Sequence, residues 1–356
     1  MPRFLRLAER LAELDKRGQR RQLRPLFPTS PTTAELDGEE IVVFSSNDYL
    51  GLARVLRSRW RGCGTGSSRL IAGDRNAHHL LEERLEALWC NPALVFPSGY
   101  QANLAVMTTL FEAGDLVASD ALNHASLIDG LRLAPCVREI VEHPTRELPE
   151  LLRGVVVEGL YSMDGDQLDL SRYLGEHWLV VDEAHAVGCL GPHGMGASYE
   201  QNVVPDVLIG TFGKAYGAAG AFVIGPPELK ELLMSSGRSF VYTTGLAEPA
   251  ARAALAGLEA ATDERREMLA ENVRRFRSGL HHLGRVPPGK DHIVAVVLGD
   301  QAMEVSGRML AEGYFVPGIR HPTVAKGQER LRFSLSAAHT PEQIDGCLEA
   351  LSKCLP

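Results

Sequence analysis

Asp182, His185 and Lys214 are the residues of this chain with the most chemistry to offer, and each follows a short apolar run. Leu179-Val180-Val181 leads into Asp182-Glu183-Ala184-His185, and Val207-Leu208-Ile209-Gly210 leads into Thr211-Phe212-Gly213-Lys214. Runs this short and this apolar read as buried parallel strands. In open α/β sheets, ligands sit in the crevice at the carboxyl ends of the strands, so these three ionisable groups point into one pocket. A lone lysine after a strand would be an ordinary surface residue. Together, the three groups suit a lysine amine that forms a Schiff base with an aldehyde cofactor, pyridoxal phosphate, which then serves as an electron sink. An anionic Asp182 facing the pyridine nitrogen would keep it protonated, and His185 would reach the phenolic oxygen of the ring.

Such a cofactor needs a phosphate site and a ring contact. Ala93–Phe96 reads as a strand and Pro97-Ser98-Gly99-Tyr100 as a turn into a helix running towards Leu110. Free amides and the positive end of the helix dipole at such a turn suit a phosphate, though a plain strand-to-helix turn reads the same way. Thr211 with the amides of Gly99 and Tyr100 would grip the phosphate. His124, in Asn123-His124-Ala125-Ser126, would stack on the ring or is a satisfied structural histidine. The glycines between Gly62 and Gly73 do not follow a strand and lack the third glycine of a dinucleotide fingerprint, so a mobile or tightly turned active-site loop is expected there. Asp182-Glu183-Ala184-His185 also spells a helicase box, but a nucleotide phosphate loop is missing: Ala215 follows Gly213-Lys214, and Leu208 stands where its first glycine belongs.

The elements that must position these groups alternate. Strands are expected at Leu116–Ser119, Val137–Val141 and Val155–Glu158, with helices beginning near His124 and Leu148, and Ala221–Ile224 as an antiparallel strand. A helix over Asp263–Leu283 leads past Pro287-Pro288-Gly289 to strands Ile293–Leu298 and Leu331–Leu335, and to a closing helix, Pro341–Lys353, capped by Thr340 and Gln343. The expected division is an N-terminal helix and arm over 1–40, a large domain over 41–245, and a linking helix with a small α/β domain over 246–356. Phe4 to Leu14 reads as an amphipathic helix on the body or on a partner, simple packing being the expectation. The net charge of −8, from 37 basic and 45 acidic residues, argues against nucleic acid or anionic membrane as partner. Six cysteines without metal-like spacing read as reduced thiols. With neither a secretory signal nor an apolar run of the ~20 residues that span a bilayer, the expected location is cytoplasmic.

Phe44-Ser45-Ser46-Asn47-Asp48-Tyr49-Leu50-Gly51, Gly64-Thr65-Gly66-Ser67-Ser68-Arg69, Ser162-Met163-Asp164-Gly165-Asp166 and the His124, Asp182 and Lys214 motifs together resemble the α-oxoamine synthase family of fold-type I pyridoxal-phosphate transferases. The likeness runs nearly end to end. It implies an α/β fold with a mostly parallel central sheet, helices on both faces and a smaller C-terminal α/β domain. It also implies a decarboxylative condensation of L-alanine with a pimeloyl thioester, carried by coenzyme A or acyl carrier protein, in biotin biosynthesis. By the same matching, Arg332 and Asn47 receive the amino-acid carboxylate, Arg21 the distal acyl carboxylate (with Arg20 and Arg24 as alternatives), and Ser162 the phenolic oxygen. Glu158 and Thr323 lie on the substrate side, and Thr243 or Thr244 reaches the phosphate of the other subunit in a homodimer with shared active sites. The alternative within the family uses glycine or serine with another acyl-CoA, as 2-amino-3-ketobutyrate CoA ligase does. Two departures stand out: the segment from Asp169 to Leu179 is too short for a connecting helix, and Gln19 and Arg20 replace apolar and aromatic residues.

Overall fold

The apolar runs that end at Asp182 and Thr211 are strands, buried along nearly their whole length because both of their faces are covered. The structure, a computed structural model, describes residues 3–21, 23–54, 63–144 and 148–356; Gly62, where the glycine loop was expected to begin, lies outside them. The chain opens with α1 (Arg3–Lys16), β1 (Phe27–Pro28), β2 (Thr33–Leu36) and β3 (Glu39–Val43). Next come α2 (Asn76–Trp89), β4 (Ala93–Phe96), α3 (Gly99–Leu110), β5 (Leu116–Asp120), α4 (Ala125–Leu133), β6 (Val137–Val141) and β7 (Gly154–Glu158). They are followed by β8 (Trp178–Asp182), the short α5 (Ala197–Glu200), β9 (Val207–Thr211) and β10 (Ala221–Ile224). Helices α6 (Pro227–Ser236), α7 (Arg238–Val241), α8 (Glu248–Ala260) and α9 (Asp263–His282) then lead to β11 (Ile293–Val297) and α10 (Ala302–Ala311). Last are β12 (Tyr314–Phe315), β13 (Gly318–Ile319), β14 (Arg330–Ser334) and α11 (Pro341–Cys354).

The central sheet has the order β4-β10-β9-β8-β7-β5-β6, parallel except for β10, which runs against both neighbours as expected. Its register sets Glu158 opposite Asp182 and Asp182 opposite Ile209, so the carboxyl ends of β7 and β8 lie level and β9 runs two residues further, to Thr211. Strands β11, β14 and β13 form a separate antiparallel sheet, while β1, β2 and β3 join β12 in another. The Thr340 and Gln343 capping box on α11 forms as the sequence indicates. Phe44 packs between α9 and β14, with ring centroids 6.0 Å from Phe276 and 6.2 Å from Phe333, and it stacks on His339 at 4.2 Å. This aromatic contact seats the Ser45–Gly51 turn against β14, which carries Arg332.

Two expectations change, the helix near Leu148 and the packing of α1, while the loss of a connecting helix after Asp169 is as expected. There is no helix near Leu148: from Leu148 to Arg153 the chain is irregular, and Leu148 and Leu152 fold down onto Val155 and Leu179 as loop side chains. The shortened segment after Asp169 holds only a 3-10 turn, Leu170–Tyr173, and Leu168, Leu170 and Tyr173 cover the sheet where a helix would have lain. Helix α1 does not pack on the body, since Leu5, Leu7 and Leu11 remain 45%, 55% and 45% exposed. The described part of the glycine loop is tightly turned, as a π-helix over Arg69–Gly73 tied down by Arg69 to Asp74 and Glu82.

Gly210 in β9 lies opposite Phe222 in β10, and a Cβ there would stand 2.2 Å from the Phe222 ring. Both residues are buried, so the ring has nowhere to go. The expected outcome of Gly210→Ala is a loss of about 1–3 kcal/mol of stability, as for an overpacked core, measured by urea unfolding.

Candidate active site

Lys214, three residues beyond the end of β9, opens into a cavity of about 210 Å³ that also meets Asp182, His185, His124, Glu158 and the first turn of α3. The strand ends explain the gathering: β7 ends at Glu158, β8 at Asp182 and β9 at Thr211. Asp182 is held on both oxygens, accepting from the Asn103 side-chain amide at 2.7 Å and from the Ala184 amide at 2.9 Å. Removal from water pushes the Lys214 ammonium down to about 8, with Asp182 and Glu158 opposing the shift and Arg332 adding to it. Burial, reinforced by Asp182, pushes the Glu158 carboxyl well above the usual range, and its Oε1 accepts from the His124 amide at 2.6 Å. His124 and His185 are both held below the ordinary imidazole value, first by burial and also by the Lys214 charge.

His185 is fixed from behind. Its Nδ1 is 2.6 Å from the Tyr49 hydroxyl, which also donates to Asn47 Oδ1 at 3.1 Å, and its carbonyl is 3.0 Å from His292 Nε2. Arg332, in the middle of β14, lies beside the Lys214 cavity rather than on its wall. Its guanidinium donates to the Ser162 carbonyl, to Ser334 Oγ at 2.9 Å and to Asn47 Oδ1 at 3.3 Å. It is buried, yet among the described residues it has no carboxylate partner.

A second, larger cavity of about 870 Å³ shares His124 with the first and is lined by Ser162, Arg21, Thr323 and Arg330. Of the residues expected on the substrate side, this cavity brings together Arg21, rather than Arg20, and Thr323; Glu158 lines the smaller cavity instead, and Ser162, expected at the phenolic oxygen, lines the larger one. Arg20 instead pairs with Asp15 at 2.8 Å, and Arg330 is neutralised by Asp164. Thr244 is exposed and lines neither cavity, while Thr243 is tied to α3 by Gln101 at 3.0 Å.

The donor set suits pyridoxal phosphate. Ser98 caps α3 by accepting from the Gln101 amide, leaving the Gly99 and Tyr100 amides without intrahelical acceptors. A Cβ on Gly99 would meet only Thr211, at 3.9 Å, so the space above this helix end is open for an anion. The Thr211 hydroxyl already donates to the Gly220 carbonyl and accepts from the Gly213 amide, so it can offer a phosphate no further proton as it stands. Tyr100 directs its hydroxyl to Asp129. Asp182, on the wall of the same cavity, is a carboxylate suited to a pyridinium nitrogen.

The profile of the family described as "Aminotransferase class I and II" matches residues 39–351. A putative 8-amino-7-oxononanoate synthase of Desulforudis audaxviator is 41% identical, over 98% of each chain. The chain belongs to this family. Among solved structures, the serine palmitoyltransferase of Sphingomonas wittichii superposes with a TM-score of 0.89 at 29% identity, over 99% of this chain and 97% of that one. The 8-amino-7-oxononanoate synthase of Francisella tularensis gives 0.77 at 27% identity, over 88% and 97%. Membership in the 8-amino-7-oxononanoate synthase family makes the chain a pyridoxal-phosphate-dependent acyltransferase of fold type I and gives it a role in biotin biosynthesis.

Several members of the site escape sequence reading. Asn103 is the one polar side chain among the buried residues of α3, beside Ala102, Ala105, Val106 and Met107, and that isolation on a buried face is the signal it leaves. His143 follows a strand like other loop residues, yet its ring bridges Asp120 at 3.0 Å and Asp166 at 2.7 Å on the wall of the larger cavity. These two carboxylates, opposed by burial, raise it to about 10 from an ordinary value of 6.5. A raised folded value stabilises the fold fully below about pH 6.5, and that contribution is lost as pH climbs through about 10. Urea unfolding of wild type and His143→Gln is therefore expected to differ most at pH 6 and to converge by about pH 10.

Proposed function

We propose that the chain condenses L-alanine with a pimeloyl thioester to give 8-amino-7-oxononanoate, carbon dioxide and the free thiol. The observation that carries this reading is the buried Arg332 guanidinium, whose partners Ser162, Asn47 and Ser334 are all neutral. A buried cation without a counter-ion is costly, and the carboxylate of an amino acid would supply the missing charge. Pyridoxal phosphate supplies an aldehyde with which amines condense and a ring that delocalises the electron pair released at Cα.

Lys214 would hold the cofactor by its aldehyde. Asp182 would hold the pyridine nitrogen, His185 and Ser162 the phenolic oxygen, and the amides of Gly99 and Tyr100 the phosphate, joined by the Thr211 hydroxyl once it turns from the Gly220 carbonyl. His124 would cover the ring. The Lys214 amine, once free of the cofactor, would take the Cα proton of alanine; a value near 8 leaves a useful neutral fraction at physiological pH. Arg332 and Asn47 hold the alanine carboxylate until it departs. Glu158, whose carboxyl burial and the Asp182 charge push well above the usual range, would lie beside the thioester. The acyl chain lies along the larger cavity past Thr323, and its distal carboxylate meets Arg21.

The reading also supports a homodimer. Ile71 and Tyr242 are 80% and 75% exposed, and Thr244, two residues past Tyr242, is exposed too, so its side chain would be free to serve the partner's phosphate site. The described residues include no helix long and apolar enough to cross a membrane. All six cysteines are unpaired, which suits a cytoplasmic enzyme.

The resemblance to a serine palmitoyltransferase structure gives a second amino acid to weigh, and one methylene or hydroxyl discriminates by only ~1–3 kcal/mol in a pocket of this kind. The deciding assay offers alanine, glycine and serine with pimeloyl-CoA and pimeloyl-acyl carrier protein and identifies the products by mass. The aminoketone from alanine is expected; preferential turnover of glycine or serine would replace this reading with the alternative. Arg332→Ala is expected to weaken alanine binding tenfold or more, about 1.4 kcal/mol, while cofactor absorbance persists. An unchanged alanine titration would remove Arg332 from the carboxylate site.

A further inference from the structure

We propose that Asn103 and Ser126 are positioning residues that link Asp182 to His124 through a hydrogen-bond chain and fix the imidazole proton of His124 on Nε2. The proposal rests on the reading of the Lys214 cavity as the cofactor site and deepens it by assigning what His124 presents there.

The chain follows from counting donors. Asn103 sits on the buried face of α3, and its side-chain amide donates to Asp182 Oδ2 at 2.7 Å and to Ser126 Oγ at 2.8 Å, which uses both amide hydrogens. Its Oδ1 is left buried without a partner. Turning the amide over would set that oxygen against the Asp182 carboxylate, so the orphaned carbonyl is the lesser cost. An asparagine kept only for packing would not carry that cost. Ser126 Oγ, already accepting from Asn103, has one hydrogen of its own, and His124 Nδ1 lies 2.7 Å away. The Ser126 backbone amide points at the same nitrogen from 3.2 Å and cannot reverse its polarity. A ring nitrogen that receives two donors carries no proton, so the network assigns a neutral imidazole protonated on Nε2.

The ring is also anchored by its own backbone. Its amide donates to Glu158 Oε1, so the residue is held at both ends as α4 begins. His124 lines both cavities, and Nε2 has no partner among the described residues. The Nε2 hydrogen is therefore the free donor at the junction, available to a carbonyl or carboxylate oxygen of a substrate that spans the two cavities. The titratable groups that act on this ring are Asp182 and Asp129, which favour its protonation, and Lys214, which with burial opposes it; Glu158 faces its backbone. Hydrogen bonds donated to Nδ1 favour the neutral ring as well.

Two measurements on the holoenzyme test the assignment. The first is nitrogen-detected NMR of histidine-labelled protein, with the His124 signal identified by its loss in His124→Asn. Wild type is expected to show Nδ1 without a proton; a protonated Nδ1 overturns the proposal. The second compares Ser126→Ala with Ser126→Thr. Removing the hydroxyl is expected to raise the His124 titration midpoint, and with it the acid limb of kcat/KM, by about one pH unit, while cofactor affinity stays within about threefold of wild type. Ser126→Thr keeps the hydroxyl and is expected to return both midpoints to wild type. An unmoved midpoint in Ser126→Ala, or a shift that Ser126→Thr does not reverse, assigns Ser126 to packing and overturns the proposal. Because the NMR signal reports the ring itself, these outcomes stand apart from a wild type that fails to condense alanine with the thioester, which would count against the proposed reaction instead.

Discussion

A carboxylate at the end of a parallel strand, deep in the protein and held on both oxygens, is the constraint around which this molecule is built. Asp182 occupies the end of β8, takes hydrogen bonds from Asn103 and Ala184, and faces Lys214 and Glu158. Burying such a group is tolerable only with donors in place and a cation nearby, and the sheet provides both. The register, with β7 and β8 ending level and β9 two residues beyond, lets the three ends share one crevice. Were β8 to slip by one residue, Asp182 would turn to the other face of the sheet and the electrostatic arrangement would dissolve.

The remaining architecture serves to keep water away from that crevice while admitting two reactants. Helix α3 brings its first residues, Gly99 and Tyr100, to one side. On the other, β14 brings Arg332 against Asn47 and Ser162, and the aromatic contact of Phe44 with Phe276 and Phe333 fixes how far these parts stand from the central sheet. His143, between Asp120 and Asp166, ties the turn that carries His124 to the segment that carries Ser162. The small cavity is thus bounded by residues whose own positions are fixed by buried ion pairs and rings, as a site requires when reacting atoms must be held to fractions of an ångström.

The missing connecting helix after Asp169 shows how much latitude the scaffold has away from the crevice. A 3-10 turn and three apolar side chains, Leu168, Leu170 and Tyr173, do the covering, and the strand ends are undisturbed. The loop from Leu148 to Arg153 achieves the same result with two leucines. Apolar spacing there reads as helical, but a hydrophobic pattern records which side chains must be hidden and not which backbone hides them.

Asp182, His185, Lys214, Thr211 and the Gly99 turn were legible in the sequence because strand-end chemistry is local: a run of apolar residues fixes the strand, and the next few residues must emerge at its end. The same locality reveals the antiparallel β10 and the cap on α11. Asn103 lies 79 positions from Asp182 and Tyr49 lies 136 from His185, so no periodicity joins these partners. Whether α1 covers its own body or stands clear, whether Arg20 or Arg21 reaches the cavity, and which nitrogen of His124 holds the proton all depend on what lies within about 3 Å in space. Sequence pattern determined which groups could do chemistry; tertiary packing decided which of them meet, because hydrogen bonds and burial act over ångströms and not over positions in the chain.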